Sequence, residues 1–326
     1  MYNHVVSPIF LFSLPRAGST LAQRILATHK DIATAAEPWI LLPYLYTLKK
    51  DGCYAEYGHR GLVIAVNDLL NEFPNGKDDY LAEIHDFILK LYTKATKHKT
   101  KYFLDKTPRY HLVAEEIISL FPEGKFIFLW RNPLAIIASI METWANGHWN
   151  LYKFKVDIFG LKNLLNAYKK YSNKVYAVRY EDLITTPENE WQKVFDYLEL
   201  EFSPEILESF KRVQFNGQMG DSTGIKHYQS ISRAPLEKWK HILSNPIRKT
   251  WCKRYLKWIG KEQLMTMGYD LEQLLSELER IPSDLKNLGS DFVRVSYGIA
   301  YCALELQVMK HKIQMTPDWY KVHSLS

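Results

Sequence analysis

The stretch SPIFLFSLPRAGSTLAQRIL, residues 7–26, limits the fold more than any other part of this 326-residue chain. Its apolar run PIFLFSL (8–14) is nearly continuous and predicts a strand buried on both faces. A glycine-containing turn follows, and then the start of a helix. A strand that feeds a tight turn and a helix N-terminus makes an anion cradle, because backbone N–H groups point at the ligand and the helix dipole favours negative charge. Three further runs read as strands, KYFLDK (101–106), KFIFLWRN (125–132) and KVYAVRY (174–180), with helical stretches between them. In residues 186–199, Thr186 is placed as N-cap, Pro187 takes the first helical position, and Trp191, Val194, Phe195 and Leu198 form one apolar stripe. Strands alternating with helices predict an α/β fold, a parallel sheet flanked by helices.

Laid on the pattern G-x-x-x-x-G-K-[ST], the segment SLPRAGST (13–20) keeps the length, with Gly18 and Thr20 in register. Ser13 replaces the first glycine and Ser19 replaces the lysine. The cation has moved to Arg16, whose fork geometry suits two oxygens at once. The strand KFIFLW ends in Arg131, where a nucleotide hydrolase usually carries an acidic residue that helps hold Mg²⁺. A cation there binds an anion directly and argues against a metal site.

Composition narrows the class. Apolar residues make up 47% of the chain and charged residues 24%, which describes a folded globular protein. The net charge of +6 fits an anionic ligand and equally a solvated basic surface. No basic stripe with interleaved aromatics argues for nucleic acid. Cys53, Cys252 and Cys302 are widely spaced and odd in number, against a disulfide framework or a structural zinc site, and in favour of a reducing compartment. The eleven histidines show no metal-ligand spacing, so no metal is expected. No signal peptide is visible in MYNHVVSPIF, and the late apolar run 295–304 is too short to span a bilayer. The expectation is a soluble, cytoplasmic protein.

At these residues the sequence resembles the sulfotransferases that use 3′-phosphoadenosine 5′-phosphosulfate (PAPS). PRAGST (15–20) matches their P-[KR]-x-G-[ST]-T signature, and RNPLAIIAS (131–139) matches strand-R-[ND]-P-x5-S. VRYEDL (178–183) and SRAPLEKWKHIL (232–243) extend the resemblance over roughly residues 7–270. It implies a P-loop NTPase-like sulfotransferase domain over 1–270; the residues beyond it, 271–326, read as a helical extension whose role the sequence leaves open. It also implies that Arg16, Ala17, Gly18, Ser19 and Thr20 grip the 5′-phosphosulfate, while Arg131 and Ser139 hold the 3′-phosphate. Tyr180 matches a tyrosine that contacts adenine, and Arg233 is placed to close over the nucleotide from the late loop.

Sulfuryl transfer needs a base for the acceptor proton and positive charge at the leaving oxygen. Small-molecule sulfotransferases take the base from the histidine of a K-T-H tripeptide. In DKTPRYH (105–111) Lys106 and Thr107 are in place, and Pro108 stands where the histidine would be. Glu37, after the first helix and a short extended segment, is the replacement. Protein-tyrosine sulfotransferases and bacterial carbohydrate sulfotransferases of the trehalose type are similar, with a glutamate base at the matching distance. Lys106 then matches the lysine at the bridging oxygen. Asp105, His111 and His148 are the alternative bases. The rival functions are a Mg²⁺-ATP-dependent nucleotide kinase and a binding module that keeps PAPS affinity without catalysis. The aromatic segments EPWILLPYLY (37–46) and ETWANGHWNLY (142–152) offer flat faces for sugar rings and read equally as core; the acceptor expected first is a carbohydrate or glycoconjugate hydroxyl, with a lipid or small metabolite next.

Overall fold

A computed structural model of the chain describes residues 5–96, 100–215, 219, 230–306 and 308–310. Five strands, β1 (Ser7–Phe12), β2 (Ile32–Thr34), β3 (Tyr102–Asp105), β4 (Lys125–Trp130) and β5 (Val175–Arg179), form one parallel sheet in the order β2-β3-β1-β4-β5. In register, Phe10 faces Asp105 of β3, and Phe12 faces Phe128 of β4. The carboxyl ends of β3, β1 and β4 therefore lie side by side. The chain fills the β3 side of β1 before it crosses to β4, so the strand order reverses at β1, the place where open α/β sheets bind ligands.

The sheet separates two apolar layers, which is why its strands are apolar on both faces rather than at every second position, with polar residues only at the strand ends. Phe10, Phe12, Phe103, Phe126, Phe128 and Trp130 point to one side, while Ile9, Leu11, Leu104, Ile127 and Leu129 point to the other. On the aromatic side Phe10 stacks on Phe126 with ring centroids 5.8 Å apart and tilts against Phe121 at 5.1 Å. Each such buried ring contributes roughly 1.5–3 kcal/mol by leaving water. The helices Lys77–Ala95, Ala114–Leu120, Pro133–Thr143 and Leu161–Lys170 cover this side, and Ser19–Leu26 and Pro187–Tyr197 cover the aliphatic one.

Two local expectations change. Tyr180 does not end β5 but opens the next helix, Tyr180–Thr185. Thr186 does not cap the helix it precedes: its backbone N–H and its hydroxyl both turn back to the Asp182 carbonyl, at 3.0 and 3.2 Å, and so close the Tyr180–Thr185 helix instead. The late helices join the same body. Leu274 and Leu278 of Leu271–Arg280 enter the aromatic-side core. The helix Leu288–Ala303 is tied to Pro246–Ile259 by a buried ion pair, in which Arg248 Nε and Nη2 donate to Asp291 at 2.6 and 3.2 Å. Residues 311–326, the end of the expected extension, lie outside the described residues. Among the described residues no helix is long and apolar enough to cross a membrane.

Candidate active site

The turn after β1 is held open by two left-handed residues, Arg16 (φ 67°) and Gly18 (φ 95°). Glycine takes that conformation without strain, whereas an arginine there costs of order 1–3 kcal/mol and persists only where its surroundings impose it. The surroundings are two side chains from the RNPLAIIAS segment. Arg16 Nε donates to Ser139 Oγ at 3.2 Å, and Arg131 Nη1 donates to the Arg16 carbonyl at 2.7 Å. Arg131 Nη2 reaches the Pro235 carbonyl at 3.2 Å, and its guanidinium lies over the Tyr180 ring, 4.4 Å from the centroid. Its Nε is buried and makes no hydrogen bond among the described residues. Gly18 then caps the helix Ser19–Leu26, whose first residues Ser19 and Thr20 are buried and whose first turn carries no acidic side chain. A β-carbon at position 18 would stand 2.3 Å from Cδ2 of Tyr180. Only glycine lets the loop lie on that ring.

Glu37 and Lys106 meet beside this loop. Lys106 follows the last residue of β3, and its Nζ donates to Glu37 Oε1 at 2.6 Å, with the two side chains 1% and 10% exposed. The other carboxylate oxygen accepts the indole N–H of Trp39 at 3.1 Å. Trp39 is itself left-handed (φ 56°), and its ring lies under the Arg109 guanidinium at 5.7 Å. Arg109 is held in turn by Asp157 at 3.0 Å.

Four residues that sequence reasoning did not place in the site hold this corner. Gln23, on the helix after the loop, donates from Nε2 to Thr34 Oγ1 (2.9 Å) and to the carbonyls of Ala35 (2.6 Å) and Ala36 (3.1 Å). From the other side, Thr107 Oγ1 accepts the Trp39 N–H at 3.2 Å and Tyr110 Oη accepts the Leu41 N–H at 3.3 Å. Both hydroxyls donate to Asp105, as does Tyr92, at 2.9, 2.9 and 2.6 Å. Burial pushes the Asp105 carboxyl up to about 6, against the opposing effect of the three hydroxyls. The clustering of Asp105, Thr107 and Tyr110 within DKTPRY was the available signal. Nothing local marked Gln23 or Tyr92.

The remaining candidates sit apart from the pair. Asp105 is fully buried beneath it. His111 is buried, packed on Gly160, with Nε2 3.8 Å from Asp157; desolvation lowers its pKa. His148 is exposed near the end of the Pro133–Thr143 helix. Tyr180 is 2% exposed beneath Gly18 and Arg131. Arg233 is exposed and donates to the Thr185 carbonyl at 3.1 Å, two residues before the Pro235 carbonyl that receives Arg131. Of the aromatic segments, Trp149 is core, packed on Trp251, while Trp144 is 40% exposed. Among the described residues no three His, Cys, Asp or Glu side chains converge as a metal site would need.

A family model described as the sulfotransferase family matches residues 8–204, the stretch that runs from β1 past β5. The chain belongs to the sulfotransferase family. It is thus an enzyme of the transferase class, similar to nodulation protein NoeE of Sinorhizobium fredii (strain NBRC 101917 / NGR234), with 26% identity over 81% of this chain and 67% of that protein. It is also similar to a putative protein-tyrosine sulfotransferase of Caenorhabditis briggsae, with 27% identity over 73% and 82% of the two chains. An uncharacterized protein of Aquifex aeolicus is 23% identical over 72% of this sulfotransferase, which spans 30% of that longer chain. Among solved structures, the sulfotransferase domain from the curacin biosynthetic pathway superposes with a TM-score of 0.52 at 21% identity, over 79% of this chain and 98% of that one, and shares the fold.

Proposed function

We propose that this sulfotransferase moves a sulfuryl group from PAPS to an acceptor hydroxyl, with Glu37 as the base and Lys106 at the leaving oxygen. The observation that carries the reading is the Glu37–Lys106 pair, 2.6 Å apart at the end of β3, next to the strand that feeds the arginine-bearing loop. In the proposed step the acceptor oxygen bonds to sulfur as the bond from sulfur to the bridging phosphate oxygen breaks. The hydroxyl proton passes to Glu37, and adenosine 3′,5′-bisphosphate leaves with the electron pair. Lys106 opposes the charge that grows on the bridging oxygen. Arg16 and the amides of Ala17, Gly18, Ser19 and Thr20 grip the phosphosulfate. Arg131, with Ser139, takes the 3′-phosphate, its Nε, without a hydrogen-bond partner among the described residues, being a spare donor. Tyr180 supports Arg131 at the nucleotide's edge, and Arg233 closes over it. No metal ion takes part.

The acceptor proposed first is a carbohydrate or glycoconjugate hydroxyl, supported by Trp39 beside the base, since a flat ring suits the apolar face of a sugar. A tyrosine hydroxyl on a peptide is the second reading, favoured by the likeness to the Caenorhabditis protein. Sulfate-labelled PAPS offered with oligosaccharides and with tyrosyl peptides, each with EDTA, tests both, and γ-phosphate-labelled ATP with Mg²⁺ is offered to the same acceptors alongside. Label transfer to oligosaccharide in EDTA is expected. Label on the peptides alone moves the acceptor to the second reading, and phosphoryl transfer from ATP that requires Mg²⁺ overturns the assignment.

A further inference from the structure

The base in this reading stands on a loop, yet a base must be held within a fraction of an ångström to take a proton in the transition state. Glu37 lies in the connection between β2 and the helix Leu41–Tyr46. The loop's backbone is caught at two points, Trp39 and Leu41, by hydroxyls that stand on the segment following β3. Those hydroxyls would be free to turn were they not both donating to one carboxylate. Asp105, the last residue of β3 and 0% exposed, receives Thr107 on one oxygen and Tyr110 and Tyr92 on the other. Its place is set by β3, which pairs with β1 at the Asp105–Phe10 position.

We propose that Asp105, through Thr107 and Tyr110, is the positioning residue for the catalytic carboxylate. It ties the Glu37 loop to the same strand that carries Lys106, so that base and leaving-group cation share one rigid support. The inference rests on Glu37 being the base. A buried carboxylate is costly unless it is hydrogen-bonded, and here its bonds fix hydroxyl directions instead of pairing a charge on the protein surface. The chain of contacts runs sheet, Asp105, hydroxyl, Trp39 N–H, and it ends where the Trp39 indole grips Glu37 Oε2.

Thr107→Val tests this with little change in volume, because it removes one hydroxyl, and Thr107→Ser restores that hydroxyl without the methyl. Turnover with labelled PAPS, affinity for adenosine 3′,5′-bisphosphate by calorimetry, and melting temperature are measured on both, with Glu37→Gln alongside. The expected result is a ten- to hundred-fold loss of kcat in Thr107→Val, nucleotide affinity within twofold of wild type, and recovery of most of the loss in Thr107→Ser. A Thr107→Val protein that melts lower but turns over normally per folded molecule overturns the inference while Glu37→Gln is inactive. Normal turnover in Glu37→Gln removes the base reading, and the inference with it. Should Thr107→Val fail to fold, Tyr110→Phe cuts the other strut and is judged by the same kcat and affinity criteria.

Discussion

Lys106 Nζ and Glu37 Oε1 lie 2.6 Å apart although the residues are 69 positions apart in the chain, and both side chains are almost closed off from solvent. The pair joins the end of a central strand to a loop that starts from the sheet's edge. If Glu37 is the base, Glu37→Gln should lower kcat by about 10²–10⁴-fold, the usual contribution of a general base. Affinity for adenosine 3′,5′-bisphosphate should stay near wild type, because the amide keeps the shape and still accepts from Lys106. The melting temperature should fall as well, since Lys106 keeps its buried charge and loses the opposing one. A folded Glu37→Gln protein with normal turnover would falsify the base assignment and return the search to other groups.

Arg131→Ala should weaken binding of adenosine 3′,5′-bisphosphate on the order of ten- to a hundred-fold, the range for one charge-assisted contact of roughly 1.5–3 kcal/mol. Arg131→Lys should recover little, because the forked head reaches the Arg16 and Pro235 carbonyls together and one ammonium does not span the same geometry. Calorimetry of the free nucleotide measures both. Adenosine 5′-phosphosulfate, which lacks the 3′-phosphate, should bind wild type far more weakly than PAPS. Equal affinity for the two would show that Arg131 serves the loop and not the ligand.

Asp105 makes stability depend on pH in a direction opposite to that of a salt-bridged aspartate. Its carboxyl titrates near 6 in the fold, above its ordinary value of 3.8, because burial disfavours the charge. Between those values the native state holds more protons than the unfolded one, so this contribution favours the fold at low pH and is lost as pH rises through about 6. The shift corresponds to about 3 kcal/mol. The groups facing it are Lys106, Thr107, Tyr92 and Tyr110, and burial raises both tyrosines well above 10, leaving them neutral in this window. The melting temperature of wild type minus that of Asp105→Asn should therefore decline from pH 4 to pH 6 and level off above 7. A difference that rises over that range would mean that the carboxylate is the favoured form in the fold.

Gln23→Met keeps the length of the side chain and deletes three donated bonds, two of them to the Ala35 and Ala36 carbonyls. The Ala36 carbonyl is the buried one of the two, and leaving it unpaired costs roughly 1–3 kcal/mol, so the variant should melt several degrees lower. It should also lose about tenfold in kcat, because Ala36 immediately precedes Glu37. Nucleotide affinity measured beside turnover separates this from damage to the phosphate loop, and a matching drop in affinity would assign Gln23 to the loop.

The turn after β1 was legible because its parts are consecutive: strand, PRAGST and helix follow one another along the chain. The central strands were legible because both of their faces are buried, which writes an unbroken apolar run into the sequence. β2 was seen only as an extended segment, since three residues carry no period. Of the proposed catalytic corner, family likeness singled out the two charged residues, Glu37 and Lys106, which the fold brings together, and much less of their supports. Gln23, Tyr92, Thr107 and Tyr110 act through contacts that cross the sheet's ends, and no local pattern records a partner 11 to 69 residues away. Asp105 read as a spare base because adjacency to Lys106 says nothing of depth; burial turned it inward, where three hydroxyls surround it.

The contact between Gly18 and Tyr180 makes two distant stretches of the chain a single inheritance. A side chain at 18 would collide with the ring, and a shifted ring would tilt the guanidinium that it carries. Grafting a kinase-type loop into this scaffold, or trimming the ring to enlarge the nucleotide pocket, is therefore a change at three places. A library that varies residue 18 alone sets every non-glycine member against the Tyr180 ring on which Arg131 lies.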